Sequence, residues 1–166
     1  MEIKKLSGSD SSDLLNLLLK LDTETKFMML EPGERSASLE DTQNRLTDID
    51  ESQSAFLGAY DSENLVGYTC FWRGEANRIK HSAYIVMGVL SSHTGQGIGK
   101  SLINEIEKWA KKYNVTRLEL TVMVHNTNAI KLYEKMGFIK EGVKKNSLFI
   151  DGNYVDEYYM GKILCE

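Results

Sequence analysis

The run Ser91–Ser92–His93–Thr94–Gly95–Gln96–Gly97–Ile98–Gly99–Lys100–Ser101 sets three glycines at alternate positions between an apolar stretch and an amphipathic one. Glycine admits left-handed dihedrals and close backbone approach. A helix start presents unpaired amides at the positive end of its dipole. Together these features describe a cradle for an anion such as a phosphate. Two better-known nucleotide loops do not fit. A P-loop ending at Gly99–Lys100–Ser101 needs a glycine where Thr94 stands, and a dinucleotide fingerprint starting at Gly95 needs one where Lys100 stands. Taken alone, the run also reads as a tight turn with no ligand.

The three histidines, His81, His93 and His125, fall in different segments without cysteine partners. A metal site is not expected. Cys70 and Cys165 are far apart and form neither a disulfide framework nor a zinc pattern, which points to a reducing, cytoplasmic compartment.

The elements that must position these residues follow from periodicity. Residues 2–6 alternate weakly as a short strand, and Ser7–Asp10 supply cap candidates. Leucines at 14, 15, 17, 18, 19 and 21 form a thick apolar helical face. Residues 22–36 carry Phe27, Met28, Met29 and Leu30 before Pro32–Gly33 and suit a loop or short helix over a pocket, or plain core packing. Residues 38–50 read as a second, more solvated helix. From Ser54 the period becomes that of strands: a hairpin over 54–60 and 65–73, then a nearly all-apolar strand over 81–90. A helix over 98–113, a strand over 116–122, a helix over 126–136 ending at Gly137, and strands over 138–149 and 154–161 complete the chain. The order β, α, α, β, β, β, α, β, α, β, β requires crossovers and so predicts a mixed α/β sheet with helices on both faces.

The chain has 166 residues, 42% of them hydrophobic and 27% charged, which suits one globular domain over 1–166. No apolar run approaches the roughly 18 residues of a membrane span. The net charge of −4 argues against a nucleic-acid surface. Charge is unevenly placed: residues 22–51 hold nine acids against three bases, while the rest of the chain beyond them is slightly basic. That segment is either a solvated helical surface or an acidic rim that draws a cationic substrate.

Strand, then xxGxG, then amphipathic helix resembles the acetyl-coenzyme A site of the GCN5-related N-acetyltransferase (GNAT) superfamily. Gly97 and Gly99 stand at the family's two glycine places, and Thr94 replaces the usual Gln or Arg. Independently, Asn126–Thr127–Asn128–Ala129–Ile130–Lys131–Leu132–Tyr133–Glu134–Lys135–Met136–Gly137–Phe138 is similar to the family's N-x-x-A-x-x-L-Y-E-K-x-G-F signature at every fixed place. Glu141–Gly142 and Ile150–Met160 look like the closing hairpin of bacterial ribosomal-protein, spermidine and small-amine acetyltransferases. The resemblance is strong over about 54–162 and rests on element order alone over 1–50.

The resemblance implies a mixed, mostly antiparallel sheet whose fourth and fifth strands splay apart around acetyl-CoA. It places Met87, Gly88 and Val89 along the pantetheine and acetyl group, and Thr94, Gly95, Gln96, Gly97, Ile98, Gly99 and Lys100 about the pyrophosphate. Asn126 would bridge to the cofactor arm; Asn128 would do so too, or merely cap the local turn. Tyr133 would protonate the departing thiolate, a role suited to an ordinary tyrosine pKa of about 10. Many family members carry a glutamate on the fourth strand, and residues 81–90 contain none. The general base is then His81, Glu119, Glu24, Glu31 or a water relay; histidine has the suitable intrinsic pKa of about 6.5.

An acetyl-CoA-dependent N-acetyltransferase acting on a small-molecule or peptidyl amine is the reading that results. The alternatives are a non-catalytic coenzyme A-binding regulatory module and a structural protein that keeps only the fold. Phe71, Trp72, Phe149, Tyr154, Tyr158 and Tyr159 are many aromatics for hairpin segments, which suits a homodimer or burial in the core.

Overall fold

The computed structural model describes residues 1–164, so Cys165 lies outside the described residues. The strands are β1 (Glu2–Lys5), β2 (Ser54–Asp61), β3 (Asn64–Arg73), β4 (Ser82–Val89), β5 (Arg117–Met123), β6 (Ile139–Ile150) and β7 (Asn153–Ile163). The helices are α1 (Ser11–Glu24), α2 (Leu39–Thr47), α3 (Ile98–Lys112) and α4 (Thr127–Lys135). Their order agrees with the periodicity, and the ends move by a few residues.

Helix α1 buries Leu14, Leu17, Leu18 and Leu21, one stripe at helical spacing. Each such leucine contributes on the order of 1.5–3 kcal/mol by leaving water. The helix runs three residues beyond its leucine stripe, and the first of them, Asp22, only 2% exposed, is held by Arg35 at 2.7 and 3.0 Å. That bidentate pair also folds the α1–α2 connection back on itself. Residues 25–38 form a loop with no helix. Helix α2 starts at a capping box in which Ser38 Oγ accepts from the Asp41 amide and Asp41 accepts from the Ser38 amide.

The seven strands make one sheet in the order β1-β2-β3-β4-β5-β7-β6. Among the described residues β4–β5 is the one parallel pair, as the crossover through α3 demands. Alternation sorts the side chains of the central strands. Phe71, Ala83, Ile85, Leu118, Leu120 and Val122 pack with Ile103, Ile106 and Ala110 of α3. Tyr68, Cys70 and Val86 pack on the other face with the leucines of α1. Phe71 is therefore core and not an association surface, whereas Trp72, Phe149, Tyr154 and Tyr159 are exposed.

Strands β4 and β5 pair only from Ser82↔Arg117 to Tyr84↔Glu119, although β4 continues to Val89 and β5 to Met123. Beyond Tyr84 and Glu119 they diverge and leave a V-shaped gap in the middle of the sheet. No helix among the described residues is long and apolar enough to cross a membrane.

Candidate active site

The gap exposes backbone that a closed sheet would consume. Across β3–β4, the Gly74 amide donates to Ser82 O and the Leu90 amide to Val66 O, so even-numbered residues of β4 face β3. Odd-numbered residues face β5. The N–H and C=O groups of Met87 and Val89 thus point into the gap, and by the same alternation so do those of Thr121 on β5, whereas the Met123 carbonyl accepts from the Asn126 amide. Gly88 differs from the sequence expectation: its amide and carbonyl turn to β3. A Cβ there would lie 2.8 Å from Leu21 Cδ1, so Gly88 lets α1 approach the sheet.

The glycine run closes the wide end of the V. Gly95 and Gly97 have φ of 76° and 83°, in the left-handed region. Gly97 is the N-cap of α3, and the first α-helical bond runs from the Ser101 amide to Gly97 O. The preceding amides, Gly95 through Lys100, have no hydrogen-bond partner among the described residues. Thr94 Oγ1 donates to Ser91 O at 2.9 Å, and Gln96 Nε2 to Ser92 O at 3.3 Å, so both side chains brace the loop. Gly99 has a separate reason: a Cβ there would lie 2.5 Å from Leu132 Cδ2 and 3.6 Å from Met87 Sδ. This close packing brings α3, α4 and β4 to one point.

Helix α4 is capped by Asn126, whose Oδ1 accepts from the Ala129 amide at 3.4 Å. Capping thus falls to Asn126 and not to the exposed Asn128. The helix buries Tyr133 against Phe138, ring centroids 5.7 Å apart. Burial first, and the neighbouring Tyr84 second, push the Tyr133 phenol up to about 12. Tyr133 shares a buried cluster with Ile85, Leu120 and Val122, with Met87 packed against it, which sets it on the α3 face of β4 and β5.

Tyr84 is a residue the sequence reading missed. Its hydroxyl bonds Thr121 Oγ1 at 2.7 Å, bridging the two strands just where they part, and its ring lies 5.0 Å from that of Trp72. Glu119, its register partner, shares its face and takes a hydrogen bond from Arg117 Nε at 2.9 Å. The remaining candidate bases are spread out. His81 precedes β4 at the closed end of the V, where its carbonyl accepts from the Thr116 and Arg117 amides. Glu24 accepts from the Ser91 amide at 2.7 Å and so ties α1 to the glycine run. Glu31 is exposed on the α1–α2 loop. That loop reaches the β6–β7 turn, where Lys26 pairs with Asp151, and the approach to α4, where the Phe27 ring lies tilted 5.2 Å from that of His125. Glu157, also unforeseen, is a buried carboxylate beside Met123 that accepts from Ser147 Oγ.

Among the described residues no three His, Cys, Asp or Glu side chains are grouped to hold a metal ion.

A splayed parallel pair, a partnerless amide row and a buried tyrosine at one gap are the geometry that the sequence resemblance implies. The acetyltransferase (GNAT) family model matches residues 17–138. The chain belongs to the GNAT acetyltransferase family. It is 32% identical over 127 residues to a spermidine N(1)-acetyltransferase of Vibrio cholerae, covering 76% of this chain and 72% of that protein. It is 37% identical over 101 residues to an L-amino acid N-acetyltransferase of Escherichia coli, covering 60% of this chain and 62% of that one, less than two thirds of its length. A GNAT-family acetyltransferase from Streptococcus pneumoniae has the same fold, with a TM-score of 0.92 at 26% identity over 98% of this chain and 99% of that one. A Salmonella typhimurium protein solved with its cofactor acetyl-CoA superposes with a TM-score of 0.87 at 16% identity, over 100% and 95% of the two chains.

Proposed function

We propose that this protein moves the acetyl group of acetyl-CoA to a primary amine that attacks directly within a ternary complex. The observation that carries this reading is the gap itself. It has unpaired amides at its wide end, free strand edges along its length, Tyr84 and Glu119 at its narrow end, and Tyr133 packed against its strands on the α3 face.

The residues fit acetyl-CoA. The amides of Gly95–Lys100, at the start of α3, suit a pyrophosphate. Met87 and Val89 offer donors and acceptors to an amide-bearing arm, and Asn126 keeps its side-chain N–H group for the same arm. When bound, acetyl-CoA supplies an activated thioester carbonyl and a thiolate leaving group. An amide of Met87 or Val89 is fixed in direction and needs no reorganisation to stabilise charge developing on a carbonyl oxygen. Tyr133 keeps its proton throughout the neutral range. An ordinary thiol has a pKa of about 8.5, so complete transfer of that proton to sulfur is favoured only where the gap desolvates the thiolate as well. Hydrogen-bond donation to the leaving sulfur needs no such condition.

The amine must lose its proton to attack. Glu119 stands at the point of divergence on the face opposite Tyr133, which makes it the best-placed of the candidate bases. The acidic 22–51 segment supports a cationic acceptor, and both named relatives act on free amines. One continuous sheet supports a single working domain over 1–166. The buried, unpaired Cys70 supports a cytoplasmic location. Exposed Phe149 and Tyr154, 63% and 67% accessible, support a homodimer through the β6–β7 hairpin.

The test is an amine panel with acetyl-CoA and a free-thiol readout. Thiol release that depends on both amine and enzyme is expected. Tight acetyl-CoA binding with no release for any amine would refute transfer.

A further inference from the structure

On the face of the sheet away from α3, over the paired end of β4 and β5 and reaching to where they part, lies a groove of about 470 Å³. Its walls are Trp72, Ile79 and Tyr84, and its polar margin is His81, Arg117 and Glu119. Trp72 is 44% exposed and Ile79 53%, a large apolar display beside a reaction centre. Tyr84 joins groove to gap, since its hydroxyl bonds Thr121 Oγ1 across the two strands where they part.

The charge of this margin is already partly assigned. Arg117 donates through Nε to Glu119 at 2.9 Å, and through Nη1 and Nη2 to Glu141 at 3.1 and 2.5 Å. One guanidinium thus serves two carboxylates, leaving the trio with one net negative charge. It has no spare fork for the carboxylate of an acceptor, but it does favour a cation. A Trp–Tyr pair beside that carboxylate offers apolar area and aromatic faces for an ammonium group.

We infer that this groove is the acceptor subsite and that it takes a monoamine carried on an aromatic or alkyl body, with no carboxylate next to the amine and no second ammonium, since among the described residues Glu119 is the one acid lining the groove and the Trp72–Ile79 wall offers such a charge no partner. This deepens the transfer reading and rests on it. The amine nitrogen lies toward Tyr84 and Glu119, and the apolar body lies along Trp72 and Ile79.

The experiment compares phenethylamine, hexylamine, spermidine and L-phenylalanine as acceptors, using thiol release for kcat/KM and tryptophan fluorescence for binding without turnover. Phenethylamine is expected to exceed spermidine and phenylalanine in kcat/KM by about 10-fold or more. Trp72→Ala is expected to raise the KM for phenethylamine at least 10-fold while lowering kcat less, and Glu119→Gln to weaken its binding at neutral pH. Circular dichroism checks each fold, and Ile79→Ser is the second groove variant should Trp72→Ala unfold. A preference for spermidine or phenylalanine, or a phenethylamine KM indifferent to both groove variants, overturns the assignment. Fluorescence binding of phenethylamine that is lost in Ile79→Ser, which keeps Trp72 as reporter, with no thiol release from any amine, keeps the groove and refutes transfer.

Discussion

Replacing Tyr133 by phenylalanine removes one hydroxyl and little else. The ring contact with Phe138 at 5.7 Å is retained, and the hydroxyl is not among the buried polar atoms left without a partner. The melting temperature should stay within a degree or two. Acetyl-CoA affinity, measured by calorimetry, should change less than about 3-fold if the hydroxyl serves the transition state alone. Turnover should fall on the order of 10²-fold, the lower part of the range for acid catalysis and equivalent to about 2.7 kcal/mol. The assay is steady-state thiol release at saturating acetyl-CoA with the fastest acceptor, so that amine deprotonation does not conceal the step. The raised phenol gives a second readout. Its folded pKa of about 12 exceeds the unfolded value of about 10, so the contribution is complete below pH 10 and is lost as pH rises toward 12. Wild type should lose stability across that window relative to Tyr133→Phe. A folded variant that binds acetyl-CoA normally and turns over at the wild-type rate would falsify the donor role. Parallel losses in binding and turnover would mean that the hydroxyl positions the cosubstrate.

Arg35→Ala strands the buried Asp22 carboxylate and should cost about 3–5 kcal/mol in urea unfolding, with Arg35→Lys intermediate; an effect below 1 kcal/mol would contradict the buried pair. Gly97→Ala meets no atom but must hold φ at 83°, which should cost about 1–2 kcal/mol and weaken acetyl-CoA binding in calorimetry. Gly99→Ala fails for a different reason, contact with Leu132, so adding Leu132→Ala should restore binding in part at Gly99 and not at Gly97. Glu24→Gln should loosen the Ser91 tie and weaken acetyl-CoA binding severalfold without moving the acidic limb of the pH–rate profile; a moved limb would make Glu24 the base.

The sequence by itself determined the order of eleven strands and helices, because each is marked by its own spacing of apolar residues and its own caps. It also determined the glycine run and the Asn126–Phe138 signature, since both are contiguous and their chemistry is local. Four candidate base residues could not be ranked in the same way, because spacing along the chain does not state distance across a sheet. Tertiary structure decided that β4 and β5 part after Tyr84 and Glu119, a limit on pairing that no residue type announces. It decided that Met87 and Val89, and not Gly88, face the gap, because strand parity depends on how β3 pairs with β4. It gave Asn126 the cap of α4, tied Glu24 to Ser91, and raised Tyr84 from an unremarked strand residue to the bridge with Thr121. Each of these rests on contacts between segments far apart in the chain. Periodicity reports which face of an element is apolar; only the assembled sheet sets which neighbour that face meets and where the ladder stops.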